Sequence, residues 1–140
     1  MANRPFRAAL LAWLAAQIIK TLIELVRIRK INLRLLIASG GMPSSHSAIM
    51  SAVAVSIGFA EGFGSPIFAL AAVVALVVMY DASGVRRAAG NQAAAINLLL
   101  DNPENAKIRL EKKLKEVLGH TPFEVLAGAA LGIVFAILFR

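Results

Sequence analysis

The two histidines of this chain stand where apolar runs begin, and their neighbours suit phosphate chemistry. His46 lies in the segment Gly-Gly-Met-Pro-Ser-Ser-His-Ser, residues 40–47. Glycines let a backbone approach a ligand closely, proline starts a helix, and free N–H groups at a helix N-terminus bind phosphate. An imidazole beside that phosphate could donate a proton to a leaving oxygen. The alternative is an ordinary serine-capped helix with an interfacial histidine.

The second histidine, His120, lies in Gly-His-Thr-Pro-Phe-Glu, residues 119–124. Glu124 follows it by four residues, so the carboxylate could hold one imidazole nitrogen and leave the other free to attack. Thr121 and Glu124 also match a capping box, in which the carboxylate only accepts a backbone N–H. On this segment alone both interpretations stay open. Catalysis is favoured because both histidines open a helix on the same predicted membrane face.

Cations collect at that face. Lys20 and Arg27 bracket the end of the first apolar run, and Arg86 and Arg87 follow the third. Each could be an interfacial side chain that reaches for water, but an ionisable residue within a span is a functional candidate, which favours Lys20. Histidines and cations together describe a phosphoryl-transfer site. The acidic residues show no metal-ligand spacing, so we expect no metal and no other cofactor.

The composition is that of an integral membrane protein. Of the 140 residues 59% are hydrophobic and 16% charged, and there is no cysteine. A soluble domain of this size cannot bury so much apolar surface, a disordered chain needs low hydrophobicity, and a disulfide scaffold needs cysteines. The net charge is +7, and the basic residues flank the apolar runs. We therefore expect the partners to be the anionic lipids of a bilayer or a phosphorylated substrate, and no nucleic acid.

The apolar runs predict an all-α, polytopic protein with one membrane domain over residues 1–140. We expect about four transmembrane helices, at 6–26, 45–60, 65–80 and 122–139, and a polar, interfacial segment at 81–121. Within that segment, 85–100 is predicted to be helical and near the membrane. A turn at Asn102-Pro103 starts a further helix, whose apolar face carries Leu110, Leu114, Val117 and Leu118.

The charges of the loops predict the orientation. With four spans, 27–44 and 81–121 share one side and hold eleven Lys and Arg, against three on the other side. The positive-inside rule then places both loops and the histidines in the cytoplasm.

The first run has no clear cleavage site and is predicted to be a retained helix. In the last run, Gly128 and Gly132 form a small-residue face that packs internally or forms a homodimer, and the few spans favour the dimer.

The motifs resemble those of a known superfamily. Pro43-Ser44-Ser45-His46 is similar to the Pro-Ser-Gly-His of type 2 phosphatidic acid phosphatases, which share a phosphate pocket with vanadium haloperoxidases. The spacing of Lys20 and Arg27 matches the first superfamily motif, and that of His120 and Glu124 resembles the third. With Tyr-Asp-Ala-Ser-Gly-Val-Arg-Arg (80–87) and Leu-Gly-His-Thr-Pro-Phe-Glu-Val (118–125), nearly the whole chain resembles the divergent phosphatidic-acid-phosphatase-like family of small membrane proteins.

The resemblance implies a role for each candidate residue. His120 would be the nucleophile, Glu124 would orient it, and His46 would protonate the leaving alcohol. The phosphoryl oxygens would be bound by Lys20, Arg27, Ser44 and Arg86. In the superfamily's third motif only a few residues separate arginine from histidine, whereas 33 separate Arg86 from His120 here. The arginine role could therefore belong to Arg86, to Arg87 or to neither.

These expectations combine into one function. The chain is predicted to be a bacterial inner-membrane phosphatase that needs no metal and forms a phosphohistidine. Its substrate would be a lipid phosphate such as phosphatidic acid, phosphatidylglycerol phosphate, or a polyprenyl phosphate or diphosphate. The alternative is a catalytically inactive relative that binds anionic lipid or scaffolds membrane partners. A transporter is less favoured, because no span carries a broken-helix pair or a midplane charge.

Overall fold

A computed structural model describes residues 3–29, 41–100, 114 and 119–140 of the chain. These ranges contain helices and no strand, and a helix covers each of the four apolar runs. The helices are α1 (Arg4–Ile28), α2 (Ser45–Glu61), α3 (Pro66–Ser83), α4 (Val85–Leu100) and α5 (Pro122–Leu138). The all-α architecture is thus confirmed, with α2 packed against α1, α3 and α5.

Polar caps define where the helices begin. Asn3, Ser44, Ser65 and Thr121 each accept a backbone N–H of the first turn through the side-chain oxygen. These bonds satisfy donors that have no partner within the helix. The expectation that Pro43 starts α2 is wrong, because this residue precedes the cap at Ser44 and lies outside the helix.

Helices α3 and α4 follow each other with a single interruption at Gly84. Together they form a helical stretch of 34 residues, Pro66–Leu99, part of which is apolar enough to cross a membrane. A span takes about 20 residues, so the stretch is longer than one span needs. The predicted helix after Asn102-Pro103 lies outside the described residues except for Leu114, whose backbone N–H and C=O pair with the buried Asn97 side chain at 3.0 and 2.9 Å.

Small side chains fill the interior of the bundle and large apolar side chains cover its exterior, which is the reverse of the arrangement in a soluble bundle. Ala8, Ala12 and Ala16 of α1 pack on Ala48 and Ala52 of α2 in a fully buried cluster. Large apolar side chains point outwards, among them Leu14, Leu22, Leu70, Leu76, Val77, Leu126 and Leu138. An apolar exterior of this kind fits contact with lipid. Within the described ranges, Arg4–Arg27 and Pro66–Leu99 are long and apolar enough to cross a membrane, and α5 is a shorter apolar helix.

The small-residue face of α5 is occupied by the chain itself. A methyl group on Gly128 would overlap the carbonyl oxygen of Ser44, and one on Gly132 would overlap that of Ala48. Both glycines are buried, and they let α5 approach the backbone of α2 closely. In this structure α2 of the same chain fills the face, which is the internal packing that the sequence left open; the homodimer through Gly128 and Gly132 stays a prediction.

Replacing Gly128 with isoleucine should destabilise the fold by about 1–3 kcal/mol or more, because the side chain would push α5 away from α2. The matched control is Ala130→Ile on the exposed side of α5, which should leave stability nearly unchanged. Thermal unfolding in detergent measures both variants. Equal stability of Gly128→Ile and wild type would contradict this packing.

Candidate active site

Helices α2 and α5 begin at the same end of the bundle and are joined there by a backbone hydrogen bond. The N–H of Ser44 donates to the carbonyl of Glu124 at 3.0 Å, so the start of α2 is fixed to the first turn of α5. The positive ends of two helix dipoles consequently lie at one place, which favours an anion. This is also the end at which His46 and His120 lie.

Glu124 performs both of the functions between which its sequence could not decide. Its Oε2 lies 3.1 Å from Nδ1 of His120 and accepts the N–H of Thr121 at 3.0 Å. The capping box is complete, because the hydroxyl of Thr121 accepts the N–H of Glu124 at 3.3 Å. The capping box therefore positions the carboxylate of Glu124, and this carboxylate orients the imidazole of His120 through Nδ1. The other ring nitrogen, Nε2, remains available to a ligand.

The structure brings the two halves of the interrupted third motif, the segments around Arg86 and His120, close together. The N–H of His120 donates to the carbonyl of Ala82 at 2.8 Å, so the start of α5 is hydrogen-bonded to the end of α3. Gly119 has a φ of +84°, and a methyl group there would overlap the backbone of Arg86 and Arg87. The gap of 33 residues between Arg86 and His120 is thus closed in space, and only glycine fits the junction.

A small cleft with a cavity volume of about 20 Å³ lies at this junction. Its walls come from α2, α3, α4 and the start of α5, and they comprise His46, Val78, Asp81, Ala82, Arg86, Gly119 and His120. Arg86 therefore lies at the cleft with both histidines, whereas Arg87 does not line it. His46 is exposed and His120 is 4% exposed.

Asp81 is the charged cleft residue to which sequence analysis gave no role. Its carboxylate forms an ion pair with Nε of Arg86 across the interruption at Gly84, and both side chains are partly exposed. The pair restrains the guanidinium at the rim of the cleft. The i, i+5 spacing does not indicate contact on a regular helix, so the sequence offered no signal for it.

Lys20 supplies a buried positive charge from α1. The residue is 3% exposed, and its Nζ has no hydrogen-bond partner among the described residues. Gly41, with a φ of +81°, lies over the aliphatic part of Lys20, since a methyl group there would be 3.5 Å from Cγ and Cδ. Lys20 interacts electrostatically with Glu124 and with both histidines. Burying an ammonium without a hydrogen-bond partner costs free energy, and a phosphate bound beside Nζ would offset that cost.

Two predicted phosphate ligands are placed differently. Ser44 is fully buried, and its Oγ accepts from the N–H and hydroxyl of Ser47 at 3.4 and 2.9 Å. Its side chain caps α2 and has no surface for a substrate. Arg27 is exposed in the last turn of α1, and no contact within the described ranges joins it to the cleft. The structure thus brings together Lys20, His46, Arg86, His120 and Glu124.

The electrostatics of the site favour a neutral His120. Burial lowers the pKa of its imidazole from the ordinary value of 6.5. The hydrogen bond and negative charge of Glu124 act in the opposite direction, and the positive charges of Lys20 and Arg86 lower the pKa further. A neutral imidazole is the form that can attack phosphorus.

For a phosphoryl transfer that begins with attack by His120, activity should survive to a pH below 6.5 and disappear as His120 becomes protonated. Glu124→Gln removes the charge that raises the pKa of His120, so the acidic limb of kcat/KM should move to lower pH. The variant can still form a capping box. Glu61→Gln, at the far end of α2, is the matched control and should leave the limb in place. A limb that stays in place or moves to higher pH in Glu124→Gln would contradict this assignment.

The whole chain is similar to known sequences. The model of the Divergent PAP2 family matches residues 1–135. The chain belongs to this family. It is also 40% identical over 148 residues to the "Uncharacterized membrane protein YuiD" of Bacillus subtilis (strain 168), an alignment that covers 98% of this chain and 94% of the relative. No solved structure matches. The family suggested by the motifs is thus confirmed, and similarity to a relative that is named a membrane protein agrees with the apolar exterior.

Proposed function

We propose that this protein is a phosphatase of membrane lipid phosphates that acts through a phosphohistidine on His120 and needs no metal. The observation that carries the proposal is the cleft in which His120, held by Glu124, meets His46 and Arg86. Within the described ranges no three histidine, cysteine or acidic side chains form a group that could hold a metal ion. We assign the chemistry to the side chains that line the cleft.

The reaction consists of two transfers of the phosphoryl group. In the first, Nε2 of His120 forms a bond to phosphorus while the bond to the lipid oxygen breaks, and His46 gives that oxygen its proton. In the second, a water that loses a proton to His46 attacks phosphorus and releases inorganic phosphate and free His120. Lys20 and Arg86 stabilise the charge on the phosphoryl oxygens in both transition states.

The proposed topology follows from the order of the helices. Helices α1, α2, α3 and α5 alternate in direction, so the end of α1, the start of α2, the end of α3 and the start of α5 meet at the candidate site. We infer one multi-pass domain over residues 1–140 with four spans and the site on the cytoplasmic side. Cysteines at positions 2 and 105 test this: an impermeant reagent should label intact cells at 2 and not at 105.

Phosphate release in detergent tests the function. The purified protein is incubated with phosphatidic acid, phosphatidylglycerol phosphate, and polyprenyl phosphate and diphosphate, each with excess EDTA. We expect release from at least one of them that EDTA does not abolish. Activity that EDTA removes would overturn metal independence. No release from any substrate by folded protein would favour the inactive relative that binds anionic lipid or scaffolds partners.

A further inference from the structure

Three arginines line one cavity at the end of the bundle opposite the candidate site. Arg4 and Arg7 belong to the start of α1, and Arg140 follows the end of α5. With Leu138 and Phe139 they enclose a cavity of about 250 Å³. The candidate site lies at the other end of α2, whose 17 residues span roughly 25 Å at the rise of an α-helix. The cavity is therefore separate from both histidines and from the function proposed for them.

Three helices hold the arginines around this cavity. Arg4 and Arg7 are three residues apart on α1, so their side chains lie on the same side of the helix. The guanidinium of Arg140 lies over the ring of Phe59 of α2, 5.6 Å from its centroid, which is a cation–π contact. The guanidinium of Arg140 is thus held against α2, and the other two approach the cavity from α1.

The positive charges of the cluster are not neutralised by the protein. Among the described residues no carboxylate forms an ion pair with Arg4, Arg7 or Arg140. Glu61 lines a neighbouring cavity together with Arg4 and Arg7 without pairing with either. Because the start of a helix is the positive end of its dipole, Arg4 and Arg7 are unfavourable there as well as repelling each other. An anion in the cavity would offset both costs.

Membrane topology does not explain a cluster at this end. The positive-inside rule favours arginines on the cytoplasmic side, whereas this end is the one predicted to face outwards. An arginine whose guanidinium only reaches for water needs no neighbour of like charge. Three of them at one cavity indicate a ligand of opposite charge.

The chemistry of the cluster selects a phosphate group. A guanidinium presents a planar fork of donors that matches two oxygens of a phosphate, and such bonds are charge-assisted. One water needs about 10–15 Å³ of cavity, so 250 Å³ has room for a phosphate and part of its substituents. Leu138 and Phe139 give the cavity an apolar wall, which suits the glycerol and acyl groups of a lipid.

We propose that Arg4, Arg7 and Arg140 form a binding site for a phosphate group with net negative charge, supplied by an anionic lipid headgroup or by inorganic phosphate. The ligand contacts the start of α1 and the end of α5 at once, so it ties these two ends of the bundle together. Since it binds the folded protein, it should raise the temperature of unfolding.

Thermal unfolding of delipidated protein in a neutral detergent tests the site. The probes are dihexanoyl phosphatidylglycerol, phosphatidylcholine with the same chains and no net charge, and inorganic phosphate. Phosphatidylglycerol is a phosphodiester without a terminal phosphate, so the proposed phosphatase reaction does not consume it. We expect it to bind at least ~10-fold more tightly than phosphatidylcholine, and high salt should weaken the difference. Stabilisation by inorganic phosphate without a preference between the lipids would identify the solution as the source of the ligand.

Variants assign the binding to this cavity. Arg4→Gln and Arg7→Gln should each weaken the binding of the effective probe by about 10-fold, because a charge-assisted bond is lost. Arg27→Gln, an exposed arginine at the other end of α1, is the matched control and should bind as wild type does. Glu61→Gln removes the nearby negative charge and should tighten binding, a gain that a misfolded variant cannot produce.

Two results would overturn the proposal. One is equal stabilisation by both lipids with no effect of inorganic phosphate, and the other is equal affinity of Arg7→Gln and Arg27→Gln for the anion. Phosphate release from lipid phosphates is measured separately and has no part in this test. A protein that binds the anion through Arg7 and releases no phosphate would support this site and count only against the phosphatase function.

Discussion

Replacing His120 with alanine should reduce phosphate release from a lipid phosphate by about 10⁴–10⁶-fold, because the reaction loses its nucleophile. Alanine keeps the backbone N–H that donates to the carbonyl of Ala82, so the junction between α3 and α5 should persist. Initial rates in detergent, normalised to folded protein, measure the effect.

Two further variants separate chemistry from structure. Thr121→Ala removes the hydroxyl of the capping box and should cost about 1 kcal/mol of stability, with most activity per folded molecule retained. His120→Asn restores a polar side chain without a nucleophile and should be as inactive as His120→Ala. Near wild-type turnover by either His120 variant would contradict the catalytic assignment.

Replacing His46 with alanine should slow the release of phosphate from a lipid by about 10²–10⁴-fold, because the leaving alkoxide would depart without a proton. An aryl phosphate has a good leaving group and should lose much less. The ratio of kcat/KM values for the two substrates, in wild type and variant, isolates proton donation, because kcat/KM reports on the first transfer and not on the hydrolysis step that His46 also assists.

A phosphate-binding role for His46 predicts another pattern. In that case both substrates should lose activity by the same factor, mostly through KM. Equal losses would therefore contradict general acid catalysis while leaving His46 at the site.

The helices were predictable because their ends carry local signals. Ser65-Pro66 and Thr121-Pro122 place a cap before a proline, and α3 and α5 begin there. The resemblance assigned Ser44 to phosphate binding, whereas in the structure its side chain caps α2 and is completely buried. One residue of a motif, Ser44, can thus cap a helix while His46, two positions later, lines the cleft.

The long-range contacts of the site were beyond the reach of spacing arguments. The 33 residues between Arg86 and His120 look like a broken motif, since sequence distance says nothing about the bond from His120 to Ala82. The same holds for Gly128, which fits either a second chain or α2. Arg27 matches the spacing of a family motif, yet it is exposed beyond Lys20. Which helix face meets which neighbour is decided by packing, and local sequence leaves that open.

The account depends most directly on a covalent bond between phosphorus and His120. Protein incubated briefly with a radiolabelled lipid phosphate and quenched in alkali should carry label that acid removes, and peptide mapping should place it on the segment 119–124. His46→Ala should still be labelled by an aryl phosphate, whereas His120→Ala should not be labelled at all. Rapid phosphate release with no labelled protein at any time, or label on another residue, would contradict the central claim.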